Sequence, residues 1–363
     1  MKKLTLAALI IGGFAAQAQA QSNVTIYGLV DAGIVSERGA AAGSVTKLTS
    51  GIGGQSRLGF RGTEDLGNGL SAIFQMETGF KADDGSLDSA NTIFNRQAFV
   101  GLKSKDAGQL TIGKQYTMLY NAQSQVADPF GAGYAGSLKN LFPSAGANTR
   151  VSNAIVYATP VMGGFSAEAL YALGEQAGSA TAGRQFGFGL NYAQGPLNAR
   201  LVYNNKNNDT AAVGATPAKT QDTGRNTMFA ANYDFKVIKA YFAYSADKGV
   251  NSAQIPNGSN NPLGLPVLPT ASVDSNDILI GAQIPAGNGY FMTSYIRKDD
   301  KTAKNQDANQ FALGYLYSLS KRTGAYVSYA KIKNKNGAGY TVGNNNEVGS
   351  GDKAFNVGIR HAF

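Results

Sequence analysis

Two arginines stand four residues apart in SRLGFRGTEDLGNG, which begins at Ser56. In an extended strand successive side chains point to opposite faces, so Arg57, Gly59 and Arg61 share one face and Leu58 and Phe60 the other. Guanidinium stays protonated throughout the physiological range and is less strongly hydrated than ammonium. A row of such groups therefore sets a fixed positive field without gripping an anion tightly. Catalysis has thinner support. The chain has no cysteine and one histidine, His361, three residues from its end on a face shared with Phe355, Val357, Ile359 and Phe363. No nucleophile and base stand at a suggestive spacing, no acids pair for hydrolysis, and no cofactor or metal is expected. What remains is an element with one charged face and one apolar face. A soluble sandwich would bury the apolar face; a membrane barrel would turn it to lipid and leave the arginines in water.

The ends and composition bear on that choice. MKKLTLAALIIGGFAAQAQA carries Lys2 and Lys3, an apolar run over 4–16, and an Ala18-Gln19-Ala20 ending. This is the pattern of a secretory signal cleaved after residue 20, so residues 21–363 form the mature domain. No later segment offers the roughly 18 uninterrupted apolar residues of a transmembrane helix. Export without cysteine leaves a fold held by noncovalent forces. Forty-six glycines, 18 Phe and 18 Tyr suit many strands and turns. The mean hydropathy of −0.18 fits a barrel whose residues alternate between lipid and water. The formal charge of +9 is scattered singly along the chain, which argues against nucleic acid.

Period-two alternation is clearest in RQFGFGLNY from Arg184 and TMFAANYDF from Thr227, and it recurs in QFALGYLY from Gln310 and GAYVSYA from Gly324. The connections alternate in length. Short turns are expected at 64–69, 105–109, 161–164, 193–195, 236–237, 285–289 and 318–321. Long polar stretches are expected at 36–55, 81–93, 117–150, 172–183, 205–226, 246–275, 298–308 and 333–351. This predicts an all-β, transmembrane antiparallel β-barrel of about sixteen strands with long loops on one rim and both chain ends on the other. Closure also removes the edges that a sandwich would have to protect. The final strand ends on Phe363, the candidate membrane-insertion signal.

NVTIYGLVDAGI, SRLGFRGTEDLGNGLSAIFQMETGF, NRQAFVGLKS, GQLTIGKQY and GIRHAF, in that order, resemble the sixteen-stranded general porins of Gram-negative outer membranes, particularly the betaproteobacterial branch. The resemblance spans the mature chain. It implies a homotrimer among outer-membrane lipids and lipopolysaccharide, inserted by the barrel-assembly machinery. Each barrel would pass small hydrophilic solutes and ions, and its third long loop would fold inward to narrow the channel. By motif, the family's pore arginines correspond to Arg57, Arg96 and Arg150. The inward loop corresponds to 117–150, whose DPFGAGYAGS makes Asp128 the acidic candidate opposite the arginines, with capping of a local turn as the alternative. Gly131, Gly133 and Gly136 would let that loop turn. Glu77 and Arg200 have lumen-side parity, as pore charges or as partners in structural ion pairs. The expectation is passive diffusion with a preference for anions. The competing readings are a substrate-specific channel, a barrel enzyme and a secreted adhesin.

Overall fold

The computed structural model describes residues 23–144, 146–257 and 261–363; the expected signal segment, residues 1–20, lies outside the described residues. The strands are β1 (Asn23–Arg38), β2 (Val45–Ser50), β3 (Arg57–Gly67), β4 (Leu70–Gly79), β5 (Gln97–Ser104), β6 (Gly108–Tyr116), β7 (Arg150–Ala158), β8 (Phe165–Ala172) and β9 (Gln185–Gln194). They continue as β10 (Leu197–Lys206), β11 (Gly224–Asp234), β12 (Lys239–Lys248), β13 (Asp274–Ala286), β14 (Gly289–Asp300), β15 (Ala308–Ser318), β16 (Thr323–Asn334) and β17 (Lys353–Ala362). Every pairing is antiparallel, and β1 closes the sheet on β17, with Leu29 opposite Ala362 and Arg38 opposite Lys353.

The barrel has sixteen strand positions because β2 and β3 occupy one of them. The distal part of β1 pairs with β2, Ala32 opposite Ser50, and its start pairs with β3, Asn23 opposite Thr63. Residues 51–56 bulge between the two halves. The sequence expectation of a long first loop over 36–55 is corrected here. In VTKLTS the β-branched residues pair back on β1, placing Leu48 beside Ile34 on the outer face, where both are exposed. The seven expected short turns and the other long connections fall where alternation placed them. At the closure the backbones of Gly28 and Phe363 exchange two hydrogen bonds of 3.1 Å. The Phe363 ring lies so close over Gly28 that a Cβ there would stand 2.3 Å from it.

The exposed and buried sets answer the opening question. Ile26, Phe188, Ile280 and Phe311 are outward and more than half exposed, as lipid-facing residues should be. The interior is less uniformly polar than alternation suggests. Met228, Leu279, Met292, Ile296 and Ile332 face inward and are fully buried, because the segment between β6 and β7 folds into the lumen and packs on that wall. That segment opens with a short helix, α1 (Met118–Ala122), capped by the Thr117 hydroxyl, and carries Leu119, Phe130, Leu138, Leu141 and Phe142 into the same core.

Several polar contacts fix this loop. Asp128 accepts hydrogen bonds from the backbone N–H groups of Phe130 (3.0 Å), Ala132 (3.0 Å) and Leu138 (2.9 Å), which ties the loop to itself. Asn140 donates to Gln310 on β15, and Ser328 on β16 receives the N–H of Ala135. The bulge at 51–56 completes the seat: the Ile52 carbonyl accepts from Tyr134 N–H, and Asp31 on β1 holds Gly53 and Gly54 N–H at 2.9 Å each. Of the loop glycines, Gly131 has the left-handed φ of +61 that a turn requires. Gly133 serves close approach instead, since a Cβ there would lie 2.1 Å from the Gly53 carbonyl oxygen.

Two predictions follow from these placements. Ile280→Arg puts a cation on the lipid face and should lower unfolding stability by about 2–4 kcal/mol if the residue lies near the bilayer midplane, read by urea titration of protein folded into vesicles. Asp128→Asn turns an amide NH2 toward N–H donors and should cost about 1–3 kcal/mol of loop anchoring. The measurement is the rate of proteolytic cutting within 117–149, expected to rise while the barrel resists.

Candidate functional site

The wall that the inward loop leaves uncovered is formed where β3, β4, β5, β6, β7 and β17 bring basic side chains together. Register sets the first contact. Gly59 of β3 stands opposite Glu77 of β4, and Arg57 lies two residues away on the same face. Arg57 Nε is 3.5 Å from Glu77 Oε2. Arg96, just before β5, places its Nε 2.7 Å from Glu77 Oε1 and its Nη1 2.8 Å from Gln55 Oε1, and its Nη2 donates to the Tyr116 hydroxyl. Arg150 opens β7, donates to the same hydroxyl at 3.0 Å and lies 4.6 Å from the Tyr116 ring centroid. Tyr116 in turn stacks on Tyr120 of α1 with centroids 4.9 Å apart, joining the arginine wall to the base of the loop.

Burial separates these groups. Arg96 is 4% exposed and fully engaged, whereas the Arg57 side chain keeps 31% of its surface open. Arg57, Glu77 and Arg96 line a cavity of about 300 Å³ whose loop side is made by Asn121, Ser124, Gln125 and Gly131. Arg360 of β17 lines it too, with Nη1 3.1 Å from the Tyr134 hydroxyl. Sequence reasoning did not single out Arg360. Its lumen-side parity was legible, but its arrival beside Arg57 depends on barrel closure. Three arginines and one carboxylate thus border this space.

The other sequence-derived residues lie apart. Arg61 faces the lumen nearer the short-turn rim, 5.3 Å from the Tyr27 ring centroid, and borders a second cavity of about 730 Å³ with Lys103 and Lys105. Asp128 does not face the arginines. It is buried within the loop, where burial pushes its carboxyl up to about 7 against the three N–H donors that favour its charged form. The turn-capping alternative describes its contacts. Glu77 is held by Arg96 and Arg57, and Tyr27 donates to it at 3.0 Å. Arg200, on the opposite wall, donates to Gln125 of the loop at 2.8 Å.

The loop instead contributes a cation. Lys139 Nζ donates to the Asn345 carbonyl at 2.6 Å, and burial together with Arg150 and Arg96 pushes its ammonium down to about 8. Nothing in the local sequence distinguishes Lys139 from the solvated loop lysines; its position depends on where the loop docks.

Comparison with known proteins agrees with this architecture. A family model described as Gram-negative porin matches residues 5–337. An outer membrane porin protein of Bordetella pertussis is 34% identical over 408 residues, covering 100% of both chains. Outer membrane porin protein 32 of Delftia acidovorans is 32% identical over 382 residues, again covering 100% of both. Among solved structures, the anion-selective porin from Comamonas acidovorans superposes with a TM-score of 0.72 at 30% identity, over 94% of this chain and 100% of the other. The chain belongs to the Gram-negative porins and is an outer-membrane barrel that forms a water-filled channel for passive diffusion, not an enzyme.

Proposed function

We propose that this channel prefers anions and that the arginine-bordered space beside the inward loop is its selective section. The observation that carries the reading is the lining: Arg57, Arg96 and Arg360 against the single carboxylate of Glu77, with polar uncharged loop residues across from them. Glu77 offsets one positive charge, and the excess faces water inside a low-dielectric wall that focuses its field. Rings or rows of arginine favour anions in this way. Arg57 is the more open of the Glu77 partners and is assigned the contact with passing ions; Arg96 and Glu77 hold the wall. The solved relative described as anion-selective supports the same sign.

A substrate-specific pore would need aromatic faces open along the lumen. Tyr120 and Tyr134 are 8% and 3% exposed, covered by their neighbours, which favours general diffusion. We further assign residues 1–20 to a cleaved export signal and 21–363 to one barrel domain. The apolar outer belt fits a homotrimer embedded among membrane lipids, and Phe363, seated on Gly28 at the seam, fits a terminal signal read by the assembly machinery.

Zero-current potential across a salt gradient in a planar bilayer tests the selectivity. The wild type should give an anion-selective sign, and Arg57→Ala with Arg360→Ala should reduce the anion-to-cation permeability ratio on the order of threefold. Cation selectivity, or a ratio indifferent to both replacements, would move the filter elsewhere. A second outcome concerns pH. A lysine is charged below its pKa, so the Lys139 contribution is present at pH 7 and lost as pH rises through about 8. Anion preference should step down between pH 7 and 9, and Lys139→Gln should remove the step.

A further inference from the structure

On the side of the long loops, a cavity of about 480 Å³ is enclosed between the inward loop and the β12–β13 and β16–β17 connections, distinct from the space beside Arg57. Hydrogen bonds between these segments build it. Asn140 of the inward loop accepts from the Gly343 N–H at 3.0 Å, and Gln254 accepts from the Ser144 N–H at 3.4 Å. Asn257 donates its backbone N–H to the Gly339 carbonyl at 3.0 Å and its side-chain amide to the Gly349 carbonyl at 2.8 Å. The volume falls within the roughly 300–1,000 Å³ of small-molecule sites, and a pocket already held in shape loses little freedom on binding.

The lining combines one uncompensated charge with an apolar pair. Lys139 borders the cavity, and its Nζ donates to the Asn345 carbonyl at 2.6 Å. Among the described residues it has no ion pair, so an ammonium with three N–H groups spends one on the protein. The carboxylate that borders the cavity, Glu347, is already engaged, 2.9 Å from Lys47 Nζ and 3.0 Å from the Thr49 hydroxyl. Ile255 and Val348 line the cavity from the two external connections and are 53% and 65% exposed. A hydrated inorganic anion would gain only the ammonium here. An acid with an apolar body gains the ammonium through its carboxylate and the two aliphatic side chains through the rest. Asn345 borders both this cavity and the arginine-bordered space, so the ammonium it holds stands at the boundary between the two.

We propose that this cavity is an entry site for small monocarboxylates with an apolar body, such as a ring or a branched chain, with the carboxylate on Lys139 and the body on Ile255 and Val348. This rests on the reading that the arginine-bordered section passes anions. A site at the mouth concentrates such acids ahead of the arginines, and weak binding lets them leave again, so other solutes still diffuse through. The test adds benzoate, acetate or benzyl alcohol on the loop side of single channels in planar bilayers and reads the chloride current that each interrupts. The salt is about 0.1 M KCl, where charges are screened only beyond about 10 Å. Benzoate should act at about tenfold lower concentration than acetate, which lacks the ring, and than benzyl alcohol, which lacks the charge. Ile255→Ser with Val348→Ser should bring benzoate to the level of acetate while the zero-current potential in KCl stays at the wild-type value. Lys139→Gln should raise the benzoate concentration needed by about tenfold. A wild-type channel that selects chloride yet responds alike to benzoate and acetate overturns the proposal and leaves the selectivity reading standing; a channel with no chloride preference overturns both. A benzoate response that neither the serine pair nor Lys139→Gln moves also overturns it, since the acid would then be held elsewhere in the pore.

Discussion

The structure depends on one requirement: within hydrocarbon, every backbone N–H and C=O must find a partner inside the protein. An open sheet leaves two unpaired edges, so the first and last strands have to meet. Here β1 meets β17 in register, and the last hydrogen bonds of the seam are those between Gly28 and Phe363. A side chain at position 28 would occupy the space of the terminal ring, so the glycine and the aromatic fit as a pair. Closure also brings Arg360 to the space beside Arg57, joining residues from opposite ends of the chain in one site.

A closed wall reverses the usual sense of inside and outside, yet the lumen is not simply polar. The inward loop builds a conventional hydrophobic core against β11 to β16, burying Phe130, Leu138 and Phe142 with Leu279, Met292 and Ile296. That core anchors the loop without covering the arginines opposite. Asp128 gives its carboxylate to three N–H groups of the loop itself, and the bulge at 51–56 binds the loop through the Ile52 carbonyl. The loop surface left facing the water-filled space is polar and uncharged around Gln125. The electrostatic asymmetry of the site follows: most of the charge belongs to the wall, the loop adds the Lys139 ammonium near Arg150 and Arg96, and shape belongs to the loop.

Within the wall, the charges differ in their work. Glu77 is flanked by two guanidiniums and receives the Tyr27 hydroxyl, so it orders the arginines as much as it offsets them. Arg96 is locked between Glu77, Gln55 and Tyr116. Removing either member of that buried pair would strand the other, which makes both structural as well as electrostatic. Arg57 and the basic residues toward the short-turn rim are freer to meet solutes.

Much of the architecture was legible from the sequence because its causes are local. Strand alternation sets each residue's face, as for Arg57 against Leu58, and turn residues end each strand within a few positions. Counting alternate short and long connections therefore gave the barrel and its sixteen positions. The hairpin strand at 45–50 escaped because glycine-rich flanks hide six alternating residues. The site was only partly legible: Arg57, Glu77, Arg96 and Arg150 meet, while Arg61 lies toward the rim and Asp128 turns into its own loop. Arg360, Lys139 and the inward apolar seat had no local signature. Parity states which side of the wall a side chain faces, and that much the sequence by itself determined. Which side chains become neighbours depends on strand register, on barrel closure and on where a folded loop comes to rest, all set by contacts between residues far apart in the chain, and these only the tertiary structure decided.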